Sequence, residues 1–315
     1  MKNVMFDKKK ETKDYFNNNT EFWSSLFKDS IYGTTTQRVR IVTDKLRNQI
    51  DQSNSDKLEQ NFKHLDFGCG TGELASISAN MGSDVVAIDI APAMVDATLS
   101  SIKQEFINNT KVFQGDVSDL DKIEDRSVDA FSALGLIEYL TVDELETFLQ
   151  HVQRILSKNG KAYIGSRNRL FNIYTKNEFT DIEKTIGEYD KLFEEYLAIS
   201  NWITENLLIQ SLNDKTKIEP FLNWKYPDSL PKTSAVSVSQ RIQYSLCDMS
   251  SRLMNRGLKL SDINAVRFHP AKPSLLEKTS DVDLIDKINM IIDEHSSTKW
   301  AILHSSSYIL EISKE

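Results

Sequence analysis

The feature that most restricts the fold is the run Leu65-Asp66-Phe67-Gly68-Cys69-Gly70-Thr71-Gly72, in which an apolar stretch ends in an acid and three glycines follow at alternate positions. A helical pattern begins at once, so the run reads as a strand, a tight turn and a helix start. Each glycine lacks a Cβ, which lets the backbone take positive φ and lets a ligand lie against main-chain N–H groups at a helix N-terminus. A compact polar ligand is expected there.

From Phe62 the chain alternates strand and helix patterns, which predicts a parallel sheet with right-handed crossovers. Strands are expected at 62–67, 84–88, 111–115, 127–134 and 161–166, and a helix from 72 to about 81. Asp89 closes the second strand, 23 positions after Asp66. A carboxylate at that edge can accept both ribose hydroxyl protons of an adenosine, and the alternative is a helix-capping or solvated aspartate. Pro92 suits the first turn of the next helix, whose apolar face carries Val95, Leu99, Ile102 and Phe106. Asp116-Val117 follows the third strand, and the fourth ends in Ala133-Leu134-Gly135-Leu136-Ile137-Glu138-Tyr139-Leu140. Thr141 to Glu144 has capping-box spacing. His151 is expected to be partly exposed on the helix that follows, with Gly160 as its left-handed cap.

The glycine spacing is not the G-x-G-x-x-G of dinucleotide enzymes. It is D-x-G-x-G-x-G, which resembles the first motif of the class I S-adenosylmethionine-dependent methyltransferases, and the later strand-end features keep that family's order over residues 65–170. The resemblance implies an α/β fold with a seven-stranded, mostly parallel sheet, an antiparallel last strand and helices on both faces. It implies S-adenosyl-L-methionine as cofactor, held by Asp66, Gly68, Cys69, Gly70 and Gly72 in the loop, Asp89, Ile90 and Met94 after it, Asp116 and Val117 at the adenine, and Leu134 at the methionine end. Glu138 and Tyr139 are the residues it turns toward the acceptor. Many relatives carry histidine where Tyr139 stands, and serine where Ala91 precedes Pro92.

Residues 6–30 mix charge with aromatic side chains, and a helix is expected from Thr20, with that residue as N-cap. Val39, Val42, Leu46 and Ile50 resume helical spacing before a polar linker, 51–56. By resemblance the N-terminal helices (1–58) cover the cofactor; packing against the sheet is the other role open to them. Residues 171–240 read as a helical cap inserted into a core of 59–170 and 241–315, with Trp202, Trp224 and Tyr226 as walls of an acceptor pocket or as packing residues. A helix at 245–256 stopped by Gly257, a strand at 263–268, a helix marked by Leu284, Ile285, Ile288 and Ile292, and a last strand at 301–312 complete the pattern. His269, after a strand and before Pro270, is a candidate base or a structural histidine.

The formal charge of −8 disfavours a nucleic-acid partner. Two cysteines, one of them inside the glycine loop, disfavour a structural disulfide, and with no 18-residue apolar run the chain reads as cytoplasmic, without a membrane span. No metal-ligand spacing occurs. The expected activity is direct methyl transfer to a small-molecule acceptor, at oxygen or nitrogen, with a sugar, a lipid-linked compound or a natural-product intermediate as the classes considered. The alternative is a non-catalytic cofactor-binding partner. The sequence gives no oligomeric state.

Overall fold

The computed structural model describes residues 2–29, 33–55, 61–227, 236–270, 282–295 and 298–315. Tyr32, Asp56 and the loop positions 228–232 lie outside them, as does the side chain of Ile285.

Three helices precede the sheet: α1 (Lys2–Asn18), α2 (Thr20–Asp29) and α3 (Thr34–Ser55). Thr20 is not an N-cap. Its hydroxyl points back to donate to the carbonyls of Phe16 and Asn17, while the Trp23 N–H bonds the Asn19 carbonyl, so the end of α1 itself starts α2. The polar run after Ile50 stays helical to Ser55. Val42, Leu46 and Ile50 already anchor one face of α3, and the exposed Asp51 and Gln52 extend its solvent side.

Strands and helices then alternate: β1 (Lys63–Phe67), α4 (Glu73–Asn80), β2 (Asp84–Asp89), α5 (Pro92–Ser101), β3 (Thr110–Gln114), β4 (Val128–Leu134), α6 (Val142–Ile155) and β5 (Leu156–Arg167). Beyond them lie α7 (Phe171–Tyr174), α8 (Glu178–Ile186), α9 (Tyr189–Thr204), α10 (Leu208–Leu212), α11 (Lys215–Ile218), α12 (Leu246–Met254), β6 (Leu258–Phe268), α13 (Val282–His295) and β7 (Ser305–Lys314). The seven strands run in the order β3-β2-β1-β4-β5-β7-β6. β1 pairs parallel with both β2 and β4, and β2 with β3. β7 is antiparallel. Its start meets the end of β6 through the His269 N–H on the His304 carbonyl, and its far end meets the start of β6 through the Glu315 N–H on the Gly257 carbonyl.

Gly160 corrects one sequence expectation. It lies inside β5 without positive φ, and a Cβ there would come 2.7 Å from the Val128 carbonyl oxygen, so close approach of β4 is what demands glycine. His151 is buried rather than partly exposed. Gly257 does take the left-handed stop, with φ of 66°.

Two compact units divide the chain: residues 1–164, 228–241 and 314 form the first, and residues 165–227, 242–313 and 315 the second. The first is built on the packed faces of β1 to β4, with Phe67, Phe131 and Phe148 in mutual ring contact. The second is organised around a buried cation. Arg169 donates from Nε and Nη2 to the two carboxylate oxygens of Glu183 at 2.8 and 2.6 Å, and its guanidinium lies 4.3 Å from the Trp224 ring centroid and 5.1 Å from that of Tyr226. Tyr226 in turn donates to Asp248 at 2.6 Å. Trp224 and Tyr226 thus clasp a core arginine, and Trp202 packs edge-on against Phe221. A buried pair of this kind is costly to break from one side, because the remaining charge stays buried without its partner. Glu183→Ala should cost about 3–5 kcal/mol in urea unfolding, and adding Arg169→Met should recover part of that loss.

Candidate active site

The glycine loop leaves β1 and is fastened from behind. Gly68 and Cys69 both donate their N–H to the Ile88 carbonyl, at 2.7 and 3.1 Å. Gly68 (φ 75°) and Gly72 (φ 88°) are positions where a side chain has neither the conformation nor the space: a Cβ would stand 2.4 Å from Leu136 Cδ1 and 2.7 Å from Thr98 Cα respectively. Gly70 differs, since nothing lies within 4 Å of where its Cβ would be. Thr98 of α5 donates to the Gly70 carbonyl at 2.9 Å and lies 3.4 Å from Cys69 Sγ.

Asp89, at the end of β2, joins the loop to the next turn. One oxygen accepts the Gly70 N–H at 3.0 Å, and the other accepts the Ala91 N–H at 2.9 Å. Burial pushes its carboxyl up to about 6, with the Ala91, Gly70 and Ile90 amides opposing the rise. Asp66 lies deeper. It accepts the Ser132 hydroxyl at 2.6 Å, and that hydroxyl is also 2.8 Å from His64 Nε2. Burial raises Asp66 to about 7 and lowers His64 to about 3. The Cys69 thiol is pushed well up, first by burial and then by the charges of Asp89 and Asp66.

In front of the loop the first unit contains a cavity of about 800 Å³, a volume that includes its mouth open to solvent. Of the residues singled out in the sequence, Gly68, Asp89, Ile90, Asp116, Val117 and Tyr139 line it. Asp66, Cys69, Gly70, Gly72, Met94 and Leu134 are not among the lining residues. Glu138 is buried, 3.9 Å from Arg241 Nε, and does not line the cavity either. His269 belongs to the second unit and is also absent from the lining. Its ring packs 5.0 Å from that of Phe171, its carbonyl accepts the Tyr174 hydroxyl, and burial lowers it to about 4.

Sequence reasoning missed part of the wall. Lys8, Lys9, Thr12 and Phe16 of α1 line the cavity, together with Thr141, Glu144 and Gln240. Thr12 and Phe16 are one helical turn apart, a signal obscured by the lysines around them. The Phe16 ring meets that of Tyr139 edge-on at 5.2 Å. Lys9 Nζ donates to Asp116 Oδ2 at 2.5 Å, while Asp116 Oδ1 accepts the N–H and hydroxyl of Ser118 at 2.9 and 2.6 Å. Partial burial works against ionisation of Asp116, but these bonds outweigh it and hold its carboxyl below the ordinary range. No group of three or more His, Cys, Asp or Glu among the described residues is placed to hold a metal ion. No helix among them is long and apolar enough to cross a membrane.

Residues 65–160 match the family described as a methyltransferase domain. A ubiquinone biosynthesis O-methyltransferase of Pelagibacter ubique is 25% identical over 169 residues, which cover 53% of this chain and 68% of that protein. A protein of the same name from Xanthomonas oryzae pv. oryzae is 31% identical over 106 residues, 33% of this chain and 43% of its own length, so the match spans less than half of that relative. Among solved structures, magnesium protoporphyrin IX methyltransferase from Synechocystis PCC 6803 with bound SAH has the same fold, with a TM-score of 0.51 over 96% of this chain and 98% of that one at 14% identity. The sequence match covers the very stretch that carries the glycine loop, Asp89, Asp116 and Tyr139, and the fold match extends over nearly the whole chain. Residues 65–160 thus carry a methyltransferase domain, set in a fold shared with a methyltransferase solved with bound SAH.

Proposed function

We propose that the chain transfers a methyl group from S-adenosylmethionine to a hydroxyl or amine of a small molecule entering the cavity beside Tyr139. The observation that carries this reading is the convergence of Gly68, Asp89, Asp116 and Tyr139 on one cavity. The donor set fits an adenosine. Each oxygen of Asp89 accepts one backbone N–H and keeps a second lone pair for a ribose hydroxyl. Asp116 keeps one acceptor position on Oδ2 for an amine, and Val117 gives a ring an apolar surface beside it.

When bound, S-adenosylmethionine supplies a methyl group already activated by its sulfonium. The residues around it have to align the acceptor and keep water out, and alignment alone can be worth about 7–11 kcal/mol in ideal cases. Phe16 and Tyr139 close the apolar side, and the polar groups of Thr12, Glu144 and Gln240 remain to orient an acceptor. No histidine is among the described lining residues, so the acceptor proton has Glu144, Tyr139 or solvent as its destination. The curated relatives, named as O-methyltransferases, support oxygen as the acceptor atom.

Calorimetry should give roughly micromolar binding of S-adenosylhomocysteine, weakened at least about 100-fold by Asp89→Ala, which removes two charge-assisted acceptors. No binding to intact folded protein would sink the reading. Transfer of labelled methyl groups from S-adenosylmethionine into a small-molecule extract separates an enzyme from a non-catalytic binding partner, which would bind but label nothing. Because only the ionised form of Asp89 leaves both oxygens as acceptors for the two ribose hydroxyls, affinity should rise as pH climbs through about 6 and fall below it. A flat profile across that region would contradict the role given to Asp89.

A further inference from the structure

Lys9 spans the cavity. Its ammonium lies 2.5 Å from Asp116 Oδ2, just after β3, and 3.9 Å from Glu144 Oε1 in the first turn of α6. α1 is held independently of this contact: Glu11 accepts the N–H and hydroxyl of Ser239 at 3.0 and 2.5 Å, and Asn17 accepts the Ala93 N–H at 3.0 Å. Docking of the helix therefore does not need Lys9, and the ammonium is available for another task.

Asp116 shows what that task is. Both hydrogen bonds from Ser118 fall on Oδ1, and Lys9 takes one position on Oδ2. The carboxylate is thereby fixed in rotation, with a single acceptor position left among the described residues. The charges around it are mostly negative: Asp119 from its own turn, whose carboxylate accepts the Asp116 N–H at 2.8 Å, Glu144 from α6, and Asp89 on the same cavity wall, against Lys9 and Lys8 from α1. Without Lys9, Asp116 would keep the Asp119 carboxylate beside it and lose the ammonium that supports its charge, so its neutral form would gain ground. A protonated carboxyl offers a donor where an amine needs an acceptor.

We infer that Lys9 is a positioning residue for the cofactor, holding Asp116 ionised and turned so that its remaining lone pair meets the exocyclic amine of the adenine. The inference rests on the cofactor reading above. It makes α1 part of adenine recognition.

The test is S-adenosylhomocysteine titrated into the wild type, Lys9→Met, Lys9→Arg and Glu11→Gln over a pH series, repeated with the analogue whose purine lacks the 6-amino group. Lys9→Met should weaken S-adenosylhomocysteine binding roughly tenfold near neutral pH, the loss of about one charge-assisted hydrogen bond. It should also steepen the acid limb of the affinity profile below about 6, because Asp116 then titrates closer to Asp89. Lys9→Arg keeps the charge and should restore both. Glu11→Gln loosens the tether and should leave the acid limb where it was, and the 6-deamino analogue should bind wild type and Lys9→Met alike. Wild-type affinity and pH profile in Lys9→Met would overturn the inference. So would an equal loss for the deamino analogue, or a shift in Glu11→Gln matching that of Lys9→Met, since either would make Lys9 only a docking contact. Failure of the wild type to bind S-adenosylhomocysteine would instead remove the cofactor reading, and this inference with it.

Discussion

The first unit depends on one buried carboxylate. Asp89 holds the Gly70 N–H with one oxygen and the Ala91 N–H with the other, so the glycine loop after β1 and the turn after β2 are fixed by the same group. Burial opposes its charge and the Ala91, Gly70 and Ile90 amides support it, and the balance leaves an acid that titrates at about 6. The shape of the loop and the ionisation of the acid are therefore one equilibrium. A ligand donating to the same oxygens would pull it toward the charged, ordered side.

Behind the loop the arrangement is more rigid. Thr98 reaches across from α5 to the Gly70 carbonyl, and Gly72 lets α5 come within a distance that no side chain would permit. Gly70 is the open position of the loop, with no atom within 4 Å of its missing Cβ. The loop is thus preorganised from one side and free on the other, which reduces the ordering cost of binding.

Much of this was legible because it is local. A strand end, a glycine turn and an acid 23 residues later are features of short stretches, and the sheet simply lines them up. What escaped was set by contacts between distant parts of the chain. Gly160 looked like a helix cap from its neighbours, but the carbonyl that excludes a Cβ there belongs to Val128. Lys9 sits 107 positions from Asp116, and no periodicity in α1 points to that pairing. In the sequence Trp224 and Tyr226 could wall a pocket, and core packing is the stronger reading of each alone. Only the position of Arg169 between them settles their use, since a buried guanidinium gains from both ring faces what it loses in hydration.

The two cysteines give a practical handle. Cys69 sits under the glycine loop of the first unit and Cys247 on α12 of the second, both as buried thiols, and burial raises each well above the range in which a reactive thiolate forms. An alkylating dye added to the native protein must wait for the surrounding structure to open before it can react. Each sulfur is therefore a clock for the unit that encloses it, and mapping which one is labelled first ranks the two halves by how often they breathe.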